Sequence, residues 1–258
     1  MINGWIKDIP SDKDYSFNKL KPTLLGLSRN NIMSEYIIKN NVNVFDQLQM
    51  ESCVANATVG ALQILKSLEN KSITLSRLFV YWNARLYTKD TDKNVGTYIR
   101  NAFDSLSTLG VCQETTWKYD MQNIFAQPPL NAYKEGDDNK IESYYRIDSL
   151  DTKRADDVES AIRANHPVVF GTGVSLEFER YKGGDKVWTK SDIKSVAGGH
   201  AMCIIGVRYN NGTREFYVRN SWDRFWGDNG HFWMSEDYLN WSETDDLWVP
   251  TLIADLVV

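Results

Sequence analysis

The chain has 258 residues, 42% of them hydrophobic, with 9 Trp, 13 Tyr and 10 Phe. That much apolar and aromatic material fills a packed core, which excludes a disordered chain, and the length suits one large domain or two closely packed lobes. A net charge of -5 without a basic block or stripe lacks the electrostatic footprint of nucleic-acid binding, and no stretch approaches the ~20 apolar residues of a membrane helix.

Residues 1–40, with Gly4, Pro10 and Pro22, read as a polar, irregular leader of extended pieces and turns. Its opening lacks the apolar run of a secretory signal, so the expectation is a cytoplasmic protein or one exported by a non-classical route. Residues 41–52 lead into a helix predicted over Cys53 to Leu68. Ser52 suits its N-cap, and Val54, Leu62, Leu65 and Leu68 recur near helical spacing among Ala55, Ala57 and Ala61. The small residues predict a central helix packed close against its neighbours. Further helices are predicted over Ser76 to Tyr87 and over Thr97 to Leu109, the second stopped by Gly110. Residues 120–140, with Pro128 and Pro129, read as loop, and a last helix covers Asp156 to Ala164, ahead of Pro167.

Strand signals follow. Pro167 to Phe170 is compact and apolar; Ala201 to Tyr209 and Glu215 to Val218 flank the hairpin pair Asn211 and Gly212; His231 to Met234 and Thr251 to Val258 complete the set. A helix-rich half before a strand-rich half predicts an α+β chain of two lobes. The expected organisation is a leader over 1–40, a helical lobe over 41–145 and a β-rich lobe over 146–258.

The three cysteines, Cys53, Cys112 and Cys203, are too few and odd in number for a disulfide framework. His166, His200 and His231 are too scattered for a zinc site by spacing. A lone cysteine is most simply a small buried hydrophobe. Cys53 differs because it opens the predicted helix, where unpaired amides and the helix dipole favour a thiolate.

Its neighbours sharpen that reading. Gln47 stands six residues before Cys53, and Ser52 precedes it directly. Gly198, Gly199, His200 and Ala201 run into an apolar strand, and Arg219-Asn220-Ser221-Trp222 is followed by Trp226, Gly227 and Gly230. These three segments resemble the papain family of cysteine peptidases in the order Cys, His, Asn. The 147 residues from Cys53 to His200 fall within the roughly 130–150 of that family. Weaker likenesses, over Gly4 to Pro10, Leu75 to Leu86 and Gly110 to Asp120, resemble its bacterial and viral-type members.

The resemblance implies a papain-like two-lobe α+β fold, a helical lobe and an antiparallel, β-barrel-like lobe with the active-site cleft between them. It implies Cys53 as nucleophile, His200 as its proton partner and Asn220 holding the imidazole. Gln47 and the Cys53 amide would stabilise the oxyanion, Trp222 would cover the His–Asn bond, and Gly198 and Gly199 would line the cleft. The implied substrate is a peptide or protein, hydrolysed through an acyl-enzyme; no metal, organic cofactor, nucleic acid or membrane is called for, and oligomeric state stays open. The family's paired cysteines in the first lobe are not evident, in keeping with a reduced compartment.

Three positions depart from the family: Glu51 and Asp223 replace glycines, and Val54 replaces a tryptophan. A Glu51 carboxylate pointing inward disfavours the thiolate. Two other readings therefore stay open here, a catalytically degenerate binding protein on the same fold and another Cys–His amidase or acyltransferase, which would commonly use Asp as third member. His166 reads as a loop residue and His231 as structural. The leader is longer than a mature papain-like chain carries before its Gln, so it is expected to pack on the second lobe or lie across the cleft.

Overall fold

The computed structural model describes residues 3–27 and 34–252. Its elements run α1 (Phe17–Leu27), β1 (Glu35–Ile37), α2 (Cys53–Leu68), α3 (Arg77–Leu86), α4 (Ile99–Thr108), α5 (Leu130–Gly136), β2 (Ser143–Ile147), α6 (Asp151–Arg163), β3 (Val168–Val174), α7 (Leu176–Glu179), β4 (Val187–Trp188), β5 (Gly198–Asn210), β6 (Thr213–Arg219), β7 (His231–Ser235), α8 (Glu236–Leu239) and β8 (Thr244–Thr251).

The small residues of α2 have the predicted effect. Every residue from Cys53 to Lys66 is buried, because Ala55, Ala57, Gly60 and Ala61 let the helix pack on α3, α4 and β5 at once. Ser52 does precede α2, but its side chain makes no cap; its hydroxyl is drawn to the Tyr119 hydroxyl and accepts from Asn56 Nδ2 at 3.0 Å. Gly110 closes the turn after α4 with φ of +67°, a conformation that favours glycine.

The strands form one sheet in the order β2-β8-β3-β5-β6-β7-β4, with β1 added on β5. All pairings are antiparallel except β4 with β7. The β5–β6 hairpin turns at Asn211 and Gly212, both at positive φ (+50° and +79°), as an Asn-Gly turn requires. This hairpin sets His200 and Asn220 at the same end of two paired strands.

Four expectations need correction. The leader contains a helix, α1, despite Pro22; Phe17 and Leu20 are buried as α1 packs on α6 and β2, and that burial overrides the proline. Residues 120–140 include α5, for which Pro129 stands at the N-cap and blocks nothing. Helix α6 begins at Asp151, because Arg154 in its first turn is buried and donates from Nη1 to Leu239 O at 3.3 Å and Thr244 O at 3.1 Å. The final strand is β8, ending at Thr251, and 253–258 of the expected one lie outside the described residues. Among the described residues no helix is long and apolar enough to cross a membrane.

Candidate active site

Cys53 opens α2 and faces β5, where the Ala201 amide donates to its Sγ at 3.3 Å. The neighbouring residue of that strand is His200, paired across to Thr172 of β3. His200 Nε2 lies 2.7 Å from Asn220 Oδ1, and that oxygen also accepts from the Ser221 amide at 2.8 Å. The carbonyl oxygen is thereby fixed towards the ring, so Nε2 carries the proton and donates. His200 Nδ1 is buried without a partner. Trp222 stacks on the imidazole, centroids 4.4 Å apart and planes at 23°, which keeps water from the His200–Asn220 bond and strengthens it.

Gln47 is 2% exposed. Its Nε2 donates to Met50 O at 3.0 Å, its Oε1 accepts from Ser221 Oγ at 2.8 Å, and its backbone N–H donates to Ser221 O at 2.8 Å. Two side-chain hydrogens sit on Nε2, so one remains for a ligand. Asp223, in place of glycine, has φ of +64°, a region an aspartate tolerates better than most side chains.

Burial sets the electrostatics. It pushes the Cys53 thiol up to about 12, with the Glu51 carboxylate adding to the rise and the Ala201 amide opposing it. It pushes His200 down to about 4, against the Asn220 bond. Glu51 is buried, and its Oε2 accepts from the Asn3 amide at 3.0 Å.

The source of this burial is the N-terminal segment. A Cβ on Gly4 would stand 2.6 Å from Cys53 Sγ, so Gly4 lies directly over the thiol. Thr97 N donates to Gly4 O at 3.0 Å, Ile6 N to Thr97 O at 3.0 Å, and Trp5 N to Gly199 O at 3.3 Å. The Trp5 indole fills the room left by two glycines: a Cβ on Gly171 would fall inside the ring, and one on Gly199 would stand 3.0 Å from its Cε3. Trp5 Nε1 then donates to Asp246 Oδ2 at 3.0 Å.

Beside Trp222 an open trough of about 340 Å³ is lined also by Leu48, Phe225, Glu179 and Lys182. Of the two glycines read as cleft-lining, Gly199 touches the leader while Gly198 pairs with Val174. His166 is a buried turn residue, with Nδ1 3.1 Å from Pro250 O; His231 stacks on Tyr217. All three cysteines are free thiols, and among the described residues no group of His, Cys, Asp or Glu converges as metal ligands would. Sequence reasoning missed Ala201, Gly171 and Asp246. Ala201 acts through its backbone, which leaves no residue-type signal, and the other two gain meaning only from Trp5.

The sequence matches the family model for papain family cysteine proteases over residues 35–247. The chain belongs to that family. This papain-family chain is 29% identical over 281 residues to an uncharacterized peptidase C1-like protein, L477, of Acanthamoeba polyphaga mimivirus, covering 99% of this chain and 88% of the other. Among solved structures it resembles xylellain, a cysteine protease from Xylella fastidiosa, with 27% identity, a TM-score of 0.82 and coverage of 97% and 96%. Bromelain from Ananas comosus, at 21% identity, shares the fold with a TM-score of 0.67 over 86% of this chain and all 100% of bromelain. The papain-like α+β fold and the assignment as a cysteine peptidase acting on peptide or protein substrates follow; the degenerate reading is not favoured.

Proposed function

We propose that the chain hydrolyses peptide bonds through a Cys53 thiolate and a His200 imidazolium, with Asn220 orienting the ring and Gln47 with the Cys53 amide holding the oxyanion. The observation that carries this reading is the 2.7 Å contact of His200 Nε2 with Asn220, which leaves Nδ1 as the nitrogen free to exchange a proton with sulfur.

In the reactive pair Nδ1 holds the Cys53 proton. The thiolate attacks the carbonyl carbon, and the electron pair moves to oxygen, where the free Gln47 hydrogen and the Cys53 N–H donate. As the C–N bond breaks, the imidazolium passes its proton to the leaving amine and a thioester remains. Water then attacks the acyl carbon while Nδ1 removes its proton; the C–S bond breaks, releasing the acid and restoring the thiolate.

We infer further that the docked leader keeps the enzyme latent. Gly4 takes the space a substrate carbonyl needs, and burial holds the proton on sulfur rather than on the ring. Undocking hydrates both groups and reverses both shifts.

Labelling with an epoxysuccinyl peptide tests the nucleophile. Label that is lost with Cys53→Ala and kept when Cys112→Ala and Cys203→Ser are combined is the expected result. Undiminished label on Cys53→Ala removes the assignment.

A further inference from the structure

Below the thiol runs a chain of hydrogen bonds in which each proton has a fixed direction. It starts at Arg77, the first residue of α3. Arg77 Nη1 donates to Asn56 Oδ1 at 3.1 Å. A guanidinium only donates, so the Asn56 oxygen faces it and the amide nitrogen faces away. Asn56 Nδ2 donates to Ser52 O at 2.9 Å and to Ser52 Oγ at 3.0 Å. At the far end Tyr119, in the loop between α4 and α5, donates from Oη to Gln47 O at 2.9 Å. A carbonyl only accepts, which commits the one phenolic proton, so the Ser52 hydroxyl donates to Tyr119 Oη. Every bond then points the same way, from Arg77 through Asn56, Ser52 and Tyr119 to the Gln47 carbonyl, and each polarises the next. Burial pushes the Tyr119 hydroxyl above its ordinary value, against its bonds with Ser52 and Asn56, so the phenol keeps its proton.

This chain joins two points that matter to the chemistry. Ser52 directly precedes Cys53, and Gln47 carries the side-chain amide aimed at the oxyanion. The turn between them is strained: exposed Leu48 has φ of +53°, a region disfavoured for a bulky side chain. Such a residue persists only where its surroundings over-determine it. Here the peptide joining Gln47 to Leu48 is gripped on both sides. Its carbonyl accepts from Tyr119 Oη and from the Met50 amide at 3.2 Å, and its N–H donates to Asp46 Oδ1 at 2.8 Å. Of these three grips only Tyr119 comes from outside the turn, and only Tyr119 also holds Ser52.

We propose that Tyr119 is a positioning residue of the peptidase, whose hydroxyl fixes the spacing between the Gln47 side chain and the Cys53 amide so that both donors meet one oxyanion. This rests on Cys53 and Gln47 acting as described above. Tyr119 touches neither substrate nor the reacting atoms; it acts through the backbone of the turn.

Tyr119→Phe keeps the ring that lies 3.9 Å from the Arg77 guanidinium and removes only the hydroxyl. Two reactions of Cys53 are compared in the full-length chain. Peptide hydrolysis develops an oxyanion, whereas alkylation by iodoacetamide, at a saturated carbon, does not. Both need the leader lifted, so their ratio is free of docking strength. In Tyr119→Phe, kcat is expected to fall by about tenfold to a hundredfold with KM close to wild type, while alkylation changes by less than about twofold. Combined with Gln47→Ala, the loss is expected to stay well short of the product of the two single losses, as for groups that act as a unit. Equal falls in hydrolysis and alkylation overturn the proposal, as do single losses that multiply. Ser52→Ala interrupts the chain but leaves Tyr119 on Gln47, so a smaller loss of the same selective kind is expected, and a loss shared equally with alkylation counts against the chain. A peptide aldehyde supplies a readout without turnover, because its adduct with the thiol sets an oxygen where the oxyanion forms. Aldehyde affinity that falls in Tyr119→Phe, in a chain that cleaves no peptide, keeps the role of Tyr119 and removes the hydrolytic reading instead. Affinity unchanged in both Gln47→Ala and Tyr119→Phe removes the oxyanion role of Gln47 and the positioning role of Tyr119 together.

Discussion

Burial moves Cys53 and His200 in opposite directions, the thiol up to about 12 and the imidazole down to about 4, so the neutral pair rests under the leader. The side chains proposed to react were legible as candidates because their chemistry is carried by residue type within short segments: Cys53 after Ser52 at a helix start, His200 at a strand start, Asn220 before Ser221 and Trp222. Gln47 was legible as an amide, but not its restraint by Met50 and Ser221, which join the segment before Cys53 to that of Asn220. Fixing the amide in advance is what makes an oxyanion donor effective, and loss of one such donor lowers rate on the order of 10²–10³. Gln47→Ala is expected to lower kcat by that order or somewhat less, with little change in KM, in steady-state assays. A kcat near wild type would exclude Gln47 from the oxyanion site.

At the scale of elements, helix α2 and the β5–β6 hairpin were predictable because each is specified locally, by small residues at helical spacing and by Asn211 with Gly212. Helix α1 was not, since Pro22 argues against it and only packing on α6 and β2 argues for it. The extended segment over residues 3–8 has no strand signature of its own, because its hydrogen bonds are with Thr97 and Gly199. Its fit at Gly4 is tight: a Cβ would lie 2.6 Å from Cys53 Sγ and 3.0 Å from the Glu51 carbonyl oxygen, and backbone on one side cannot yield. Gly4→Val in the full-length chain is therefore expected to lift the segment and to raise the rate of Cys53 labelling several-fold. An unchanged rate would mean that this contact does not limit access to the thiol.

Across the whole molecule, the leader is fastened by charge as well as by shape. Trp5 and Asp246 meet from 241 residues apart, which no reading of either neighbourhood anticipates. Asp8 lies beside them, its Oδ2 accepting from Trp248 Nε1 at 3.0 Å and from the Arg100 amide at 3.3 Å. Arg146 bridges Asp245, Asp246 and Asp14, Arg100 pairs with Asp14, and Lys7 pairs with Asp245. Burial raises Asp8 to about 6 and Asp246 to about 7, the latter also through repulsion from Asp8. The docked form thus binds protons that solvent-exposed carboxylates release. Docking is strongest below the ordinary carboxylate value of 3.8 and weakens as pH rises through 6 to 7, by up to about tenfold per pH unit for each proton released. Hydrogen exchange of the Trp5 to Asp8 amides, corrected for intrinsic rates, is expected to speed up over that range, and Asp8→Asn to flatten the response; protection that grows with pH would refute the linkage. The leader is also continuous with the enzyme it covers. A tethered segment sits at an effective concentration in the millimolar range however dilute the protein, so micromolar substrate does not displace it by competition. One cut in the connecting chain changes that order of reaction: the same segment becomes a separate peptide whose rebinding falls with dilution, and a single nick, even by a second copy, becomes a lasting release.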